Sequence, residues 1–371
     1  DRTVCARWLS EHAATEEILW TGRATSGLCA LLITLAKGIT RVVVPNNVCL
    51  TVVAAIRGAG LKPEFLDIDS SSQSLSPAGL ANLSPGETRV VVYPHMYGLV
   101  HPHVFDVARI CHERNWFMVE DCAQSLGGRS GGQFCGRTGD AALFSFGRGK
   151  IVDCSWGGAL ALRDQGLLER VRAVYGGLPL RHPRHAEHEI RYGRLFKETY
   201  SQWQAGRRSG NGAPVFLRLL DLFHHLFVHR TEDLPFRGIR KGLDHLVDNL
   251  ACRTQAAQLF RQFCLQEGIA FVEHPEGSTY WRFNMLPRPQ VRDALLAQLH
   301  EQGCHASSWF PSADRLVGPV ASPRRFPVSD AMDEAILNLW VFGVDATYAD
   351  KVMGLIQRHP GVVRGAGGIR S

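Results

Sequence analysis

What this 371-residue chain lacks narrows its chemistry first. It has no run of eighteen or more apolar residues, so no membrane span is expected. None of its 10 cysteines stands at CxxC spacing and no Cys/His cluster has zinc-site separation, so no metal site is expected. Several cysteines sit inside apolar runs, where a reduced thiol behaves as a small hydrophobe. The opening residues, DRTVCARWLSEH, hold no apolar core of the signal-peptide kind, and the expected compartment is a reducing cytoplasm. There is no Walker loop, no GxGxxG fingerprint and no basic repeat. A formal charge of +6 is modest for this length and favours anionic small molecules over nucleic acid.

What is present is ordinary in bulk: 45% hydrophobic and 20% charged residues suit a globular chain, and the length suits about two domains. Up to about residue 162, short β-rich runs alternate with helical stretches. Strands are expected over Val42–Val44, Pro63–Ile68, Val90–Tyr93, Phe117–Glu120, Ala142–Phe146 and Ala159–Leu162, with helices over Leu28–Ala36 and Leu50–Gly60. Strands separated by helical crossovers imply an α/β fold with a mainly parallel sheet, whose ligands bind beyond the carboxyl ends of the strands. Asp69, His95, Asp121 and Ser145 fall there.

From about Arg163 to Lys241 the pattern turns helical and irregular, with a polar break at Gly206–Gly212. Residues 181–194 hold four Arg and three His, which suits a solvated basic face or a clamp for an anionic group. Leu219–Phe227 is apolar enough for a buried helix or an interface. From Asp248 a longer helix leads into β-like Tyr280–Leu286 and helices over Val291–Gln302 and Met332–Leu339, a smaller α+β domain. The expected division is 1–245 and 246–371.

Three segments carry chemistry. In Gly22-Arg23-Ala24-Thr25-Ser26-Gly27-Leu28, small residues let the backbone approach an anion, while Thr25 and Ser26 offer hydroxyls at a helix start. An ordinary helix cap explains this segment equally well. In Val119-Glu120-Asp121-Cys122-Ala123-Gln124, a carboxylate at the end of an apolar strand needs a cationic partner, either a structural salt bridge or a protonated pyridine nitrogen. In Phe144-Ser145-Phe146-Gly147-Arg148-Gly149-Lys150, a lysine stands among glycines, where it suits Schiff-base chemistry better than a solvated face.

Together with VVVP (42–45), FLDID (65–69), PHMYG (94–98), EDCAQSLGG (120–128) and GGAL (157–160), these segments resemble the DegT/DnrJ/StrS family of sugar aminotransferases. The resemblance runs from about Gly22 to Leu162 and resumes more loosely from Gly242. It implies fold type I of the pyridoxal 5'-phosphate (PLP) enzymes, with a seven-stranded, mainly parallel sheet in the large domain and a smaller α+β C-terminal domain. It implies that Lys150 binds the cofactor and moves protons, that Asp121 pairs with the pyridinium, and that Gln124 contacts the ring. Thr25, Ser26 and Ser145 would hold the phosphate, and His95 would be structural. The implied reaction moves an amino group from an amino acid, glutamate by resemblance, to a keto-sugar or polyol within a homodimer, with no nucleic-acid or membrane partner.

Two positions depart from the family. Its usual aromatic residue in the helix after the 42–44 strand is Cys49 here, so ring stacking is expected from elsewhere. The family Asn that reaches the partner's phosphate aligns with Asp244, whose charge would repel it, so another group, such as an Arg from 181–194, is expected to substitute. The alternatives are a PLP-dependent sugar dehydratase, whose relatives carry His where Lys150 stands, and a catalytically idle regulatory member.

Overall fold

In the computed structural model, residues 1–362 are described apart from 40, 85–86, 88, 206–212 and 319–325; the expected break at Gly206–Gly212 lies outside the described residues. Thirteen strands are described. The first nine are β1 (Ile18–Thr21), β2 (Arg41–Pro45), β3 (Lys62–Leu66), β4 (Val90–Pro94), β5 (Phe117–Asp121), β6 (Arg129–Ser130), β7 (Gln133–Phe134), β8 (Ala141–Ser145) and β9 (Gly158–Leu162). Seven of them form one sheet in the order β1-β9-β8-β5-β4-β2-β3, and β6 pairs only with β7. The β2–β3, β2–β4, β4–β5 and β5–β8 pairs are parallel, while β9 runs antiparallel to both neighbours. The expected α/β sheet is present, with β1 added.

The central strands are valine-rich because both faces are covered. Val42, Val43, Val44, Val90, Val91 and Val92 are fully buried. Helices α1 (Arg2–Ala13), α2 (Ala24–Leu35), α3 (Leu50–Gly58), α4 (Pro77–Ala81), α5 (His103–Glu113) and α6 (Gln165–Gly176) cover the sheet. Next come α7 (His185–Ala205), α8 (Ala213–Phe227) and α9 (Phe236–Asp244). Phe216, Leu219, Leu220 and Phe223 of α8 join the core that α2 and α3 make on the sheet, so this apolar segment packs largely within its own chain. On α7, Phe196 and Tyr200 stack on Trp309, at centroid distances of 5.6 and 4.9 Å.

A second sheet, β10-β11-β13-β12, is built from β10 (Ala270–Phe271), β11 (Phe283–Leu286), β12 (Ala306–Ser307) and β13 (Leu337–Leu339). With it come α10 (Leu246–Glu267), α11 (Pro289–Glu301), α12 (Ala313–Val317), α13 (Pro327–Ala335) and α14 (Ala346–Arg358), and a separate apolar core. The helix expected over Met332–Leu339 is corrected. Its first half ends α13, and Ile336 turns to φ −63, ψ 130 so that β13 can enter the sheet between β11 and β12. No helix among the described residues is long and apolar enough to cross a membrane.

Candidate active site

At the carboxyl ends of β5 and β8, facing the start of α2, lies a cavity of about 250 Å³. Thr25, Asp121, Ser145 and Lys150 line it together with Arg23, Leu28, Cys49, Arg148, Phe223 and Phe227. Four residues read from sequence thus meet, brought from positions up to 125 apart by the parallel crossovers. Strand β5 ends on Asp121, whose Oδ1 accepts from Ala123 N–H at 2.9 Å and closes a turn. Its neighbour Glu120 faces away and is saturated by His95 Nε2 at 2.8 Å, Gly136 N–H at 2.7 Å and Thr138 N–H at 2.9 Å. His95 is therefore a buried structural partner of Glu120. Burial opposes its charge, but the hydrogen bond and charge of Glu120 outweigh that and raise its pKa.

The loop after β8 carries Lys150. Gly149 takes φ +75, and its N–H donates to Asp153 Oδ2 at 2.6 Å. Trp281 Nε1 donates to Gly149 O at 2.6 Å, fixing the loop from the C-terminal half of the chain. Burial lowers the Lys150 pKa from 10.5; Cys49 and Asp121 partly offset this, and Arg282 and Arg23 add to it. Burial raises the Asp121 carboxyl pKa, against the pull of Ala123 N–H and the Lys150 charge.

Two expected ligands stand elsewhere. Ser26 does not line the cavity: its hydroxyl donates to Phe227 O at 3.0 Å and accepts from His229 N–H at 3.1 Å, which ties the start of α2 to the end of α8 and the turn after it. Gln124 is the second: its Oε1 accepts from Tyr97 N–H at 2.7 Å, and it does not line the cavity. Asp244 is exposed at the end of α9, 3.8 Å from Arg240. Within the segment 181–194, Glu189 pairs with Arg23 of the same chain's cavity.

Sequence reasoning missed Arg23, Arg148, Phe223 and Phe227 as lining residues. Arg23 stood in the motif already singled out, beside Thr25. The α8 aromatics carried only the helical spacing of an apolar face.

Comparison with known proteins bears on this geometry. Residues 6–190, about half of the chain, match the DegT/DnrJ/EryC1/StrS aminotransferase family. The chain belongs to this family. GDP-perosamine synthase of Escherichia coli O157:H7 is 29% identical over 166 residues, 43% of this chain and 45% of that protein. The match thus spans less than half the length of that relative. The L-glutamine:2-deoxy-scyllo-inosose aminotransferase of Streptoalloteichus tenebrarius is 28% identical over 350 residues, 89% of this chain and 75% of that protein. The solved E. coli GDP-4-keto-6-deoxy-D-mannose-3-dehydratase with bound hydrated PLP shares the fold, with a TM-score of 0.70 at 13% identity over 95% of this chain and 90% of that one.

The fold of this DegT/DnrJ/EryC1/StrS member is that of PLP-dependent enzymes, and the cavity residues fit the cofactor. Asp121 is a half-buried carboxylate that, among the described residues, accepts only from Ala123 N–H, so a ligand cation such as a pyridinium nitrogen would satisfy it. Lys150 brings an amine to the same space, and Thr25 and Ser145 bring hydroxyls beside the start of α2, where an anion is favoured. With Cys49 in place of an aromatic residue, Phe223 and Phe227 supply the cavity's ring surfaces, stacked on each other at 4.0 Å.

Proposed function

We propose that this protein is a PLP-dependent aminotransferase, moving an amino group from an amino acid, glutamate by the family resemblance, to the keto carbon of a sugar, nucleotide-linked, or of a related polyol. The observation that carries this reading is the convergence of Lys150 and Asp121 on one cavity with hydroxyls at a helix start. The names of the two relatives, one a perosamine synthase and one an inosose aminotransferase, support a sugar or cyclitol acceptor. A volume of about 250 Å³ takes the cofactor's ring and phosphate, so the sugar and a nucleotide would extend outward past exposed Arg148.

When bound, PLP supplies an electron sink for the carbon that loses its proton. The protein's part is to hold and move protons. Lys150 Nζ, its pKa lowered by burial, reaches its neutral, proton-accepting form at lower pH than free lysine does. Asp121 keeps a carboxylate where the ring nitrogen needs a counter-charge, and Phe223 and Phe227 exclude water. We assign the cofactor contacts to Lys150, Asp121, Thr25 and Ser145. Purified protein is expected to show the visible absorbance of lysine-bound PLP and to exchange amino groups with a donor amino acid. Lys150→Ala is expected to lose both; an undisturbed band in that variant would place the link on another lysine.

A second reading, sugar dehydration, is favoured only by the dehydratase among the structural neighbours. Against it stands Lys150 in the position where those relatives carry His, and no histidine lines the cavity among the described residues. Consumption of a keto-sugar without nitrogen transfer would establish it. We also propose a homodimer, supported by Ile190, Leu195, Val215 and Leu222, apolar yet 45–47% exposed on α7 and α8. Light scattering showing a monomer at micromolar concentration would refute this.

A further inference from the structure

We propose that Arg23 is the cation that receives the cofactor's phosphate, supplied from within the chain. This rests on the PLP reading and names the group that does what Asp244 cannot. Arg23 is the residue that caps the start of α2, one turn position from Thr25, and its side chain lines the cavity. Its guanidinium has three distinct fates. Nη2 donates to Glu189 of α7. Nε is buried and has no partner. Nη1 points over the loop after β8, where a Cβ placed on Gly147 would meet it at 3.6 Å and Ser145 Oγ at 3.5 Å. Among the described residues no group accepts from Nη1, which lies beside the Ser145 hydroxyl in the cavity that Thr25 also lines. The Phe227 ring backs the guanidinium at 4.6 Å and fixes its plane.

The charges agree. Arg148 and Arg181 stand near enough to act on Arg23, and Glu189 neutralises one of the three guanidinium groups. The two positive charges left over match a phosphate monoester, which carries nearly two negative charges at neutral pH. Arg181 itself is held 4.0 Å over the Trp156 ring, set back from the cavity lining, so it contributes charge while Arg23 makes the contact.

The test compares binding of pyridoxal 5'-phosphate with binding of pyridoxal, which has the same aldehyde and no phosphate. Both are followed through the absorbance they acquire on Lys150. The wild type is expected to prefer the phosphorylated form strongly. Arg23→Met is expected to weaken pyridoxal 5'-phosphate about tenfold to a hundredfold, as loss of a charged hydrogen bond does, and to leave pyridoxal within about twofold. Arg23→Lys is expected to keep most of the preference. If Arg23→Met does not fold, the paired change Arg23→Gln with Glu189→Gln leaves no unpaired charge and is expected to show the same selective loss. An equal loss for both aldehydes, or a preference that survives both variants, overturns the inference alone. A wild type that binds neither aldehyde through Lys150 overturns the cofactor reading, and this inference with it.

Discussion

At the scale of single residues, the site depends on two ionisable groups that burial moves in opposite directions. The carboxyl of Asp121 is pushed up and the amine of Lys150 is pushed down, each by desolvation. They also interact, since the negative charge of Asp121 keeps the Lys150 pKa from falling further. The sign of a neutralising change follows. Asp121→Asn removes an attraction for the lysine proton, so the Lys150 amine loses that proton at lower pH than in the wild type. The expected outcome is an acid-ward shift in the midpoint of pH-dependent cofactor capture, with a fall in transamination of about a hundredfold, typical of losing one preorganised charge. An unchanged midpoint with activity within a few-fold would reduce Asp121 to the cap of the turn at Ala123. Lys150 and Asp121 were readable from the sequence because each combines a charged residue with a strand end or a glycine loop. Arg23 was not. Its meaning depends on Glu189, 166 residues away, and on a loop that only the folded sheet brings beside it.

At the scale of elements, the approach of β9 to the start of α2 explains a small-residue run. A Cβ on Gly158 would lie 2.2 Å from Ala24 N and 2.5 Å from Arg23 C, backbone atoms that cannot step aside. Gly158→Ala is expected to push the first turn of α2 outward. The cost is about 1–3 kcal/mol of stability by denaturant melting, with weaker phosphate binding alongside. A variant matching wild type in both would show that α2 tolerates the displacement. Six sheet strands were legible, β2 and β4 as valine runs and the others as short apolar runs between helical stretches. Strand β1 was not, since ILWT is four residues whose pairing comes entirely from β9. The segment at 332–339 kept a helical pattern through its first half, and long-range pairing with β11 and β12 decided the rest. Helix α8 gave the right apolar face without indicating which surface it would cover.

Over the whole molecule, three buried histidines set a limit in acid. Burial, together with His185, Arg23 and Arg181, takes the pKa of His229 down to about 3. Burial alone takes His274 to about 3, and burial with the nearby Arg23 and Arg181 takes His185 to about 4. The unfolded chain protonates these groups below the ordinary value of 6.5, while the folded protein does not. Stability is therefore lost as pH falls through this window, by about 1.4 kcal/mol per pH unit for each fully uncoupled group. His95, whose folded pKa is raised, contributes stability that is fully present below 6.5 and is lost only as pH rises above it, so it does not alter the slope in acid. Urea midpoints between pH 7 and 4.5 should fall steeply, and His274→Phe, which keeps the ring stacked 4.4 Å from Tyr280, should flatten the slope by one group's share. A pH-independent midpoint would contradict this account.

The indole that secures the lysine loop also makes the site visible to light. Trp281 stands with its ring 5.8 Å from Lys150 Nζ, far closer than the range over which an excited indole passes energy to a neighbouring chromophore. Loading the lysine with a ring that absorbs in the near ultraviolet should therefore dim the emission of Trp281, one of eight tryptophans in the chain. The expected result is that Trp281→Phe removes most of the loading-dependent change in fluorescence. If the change persists in that variant, the reporter is another tryptophan.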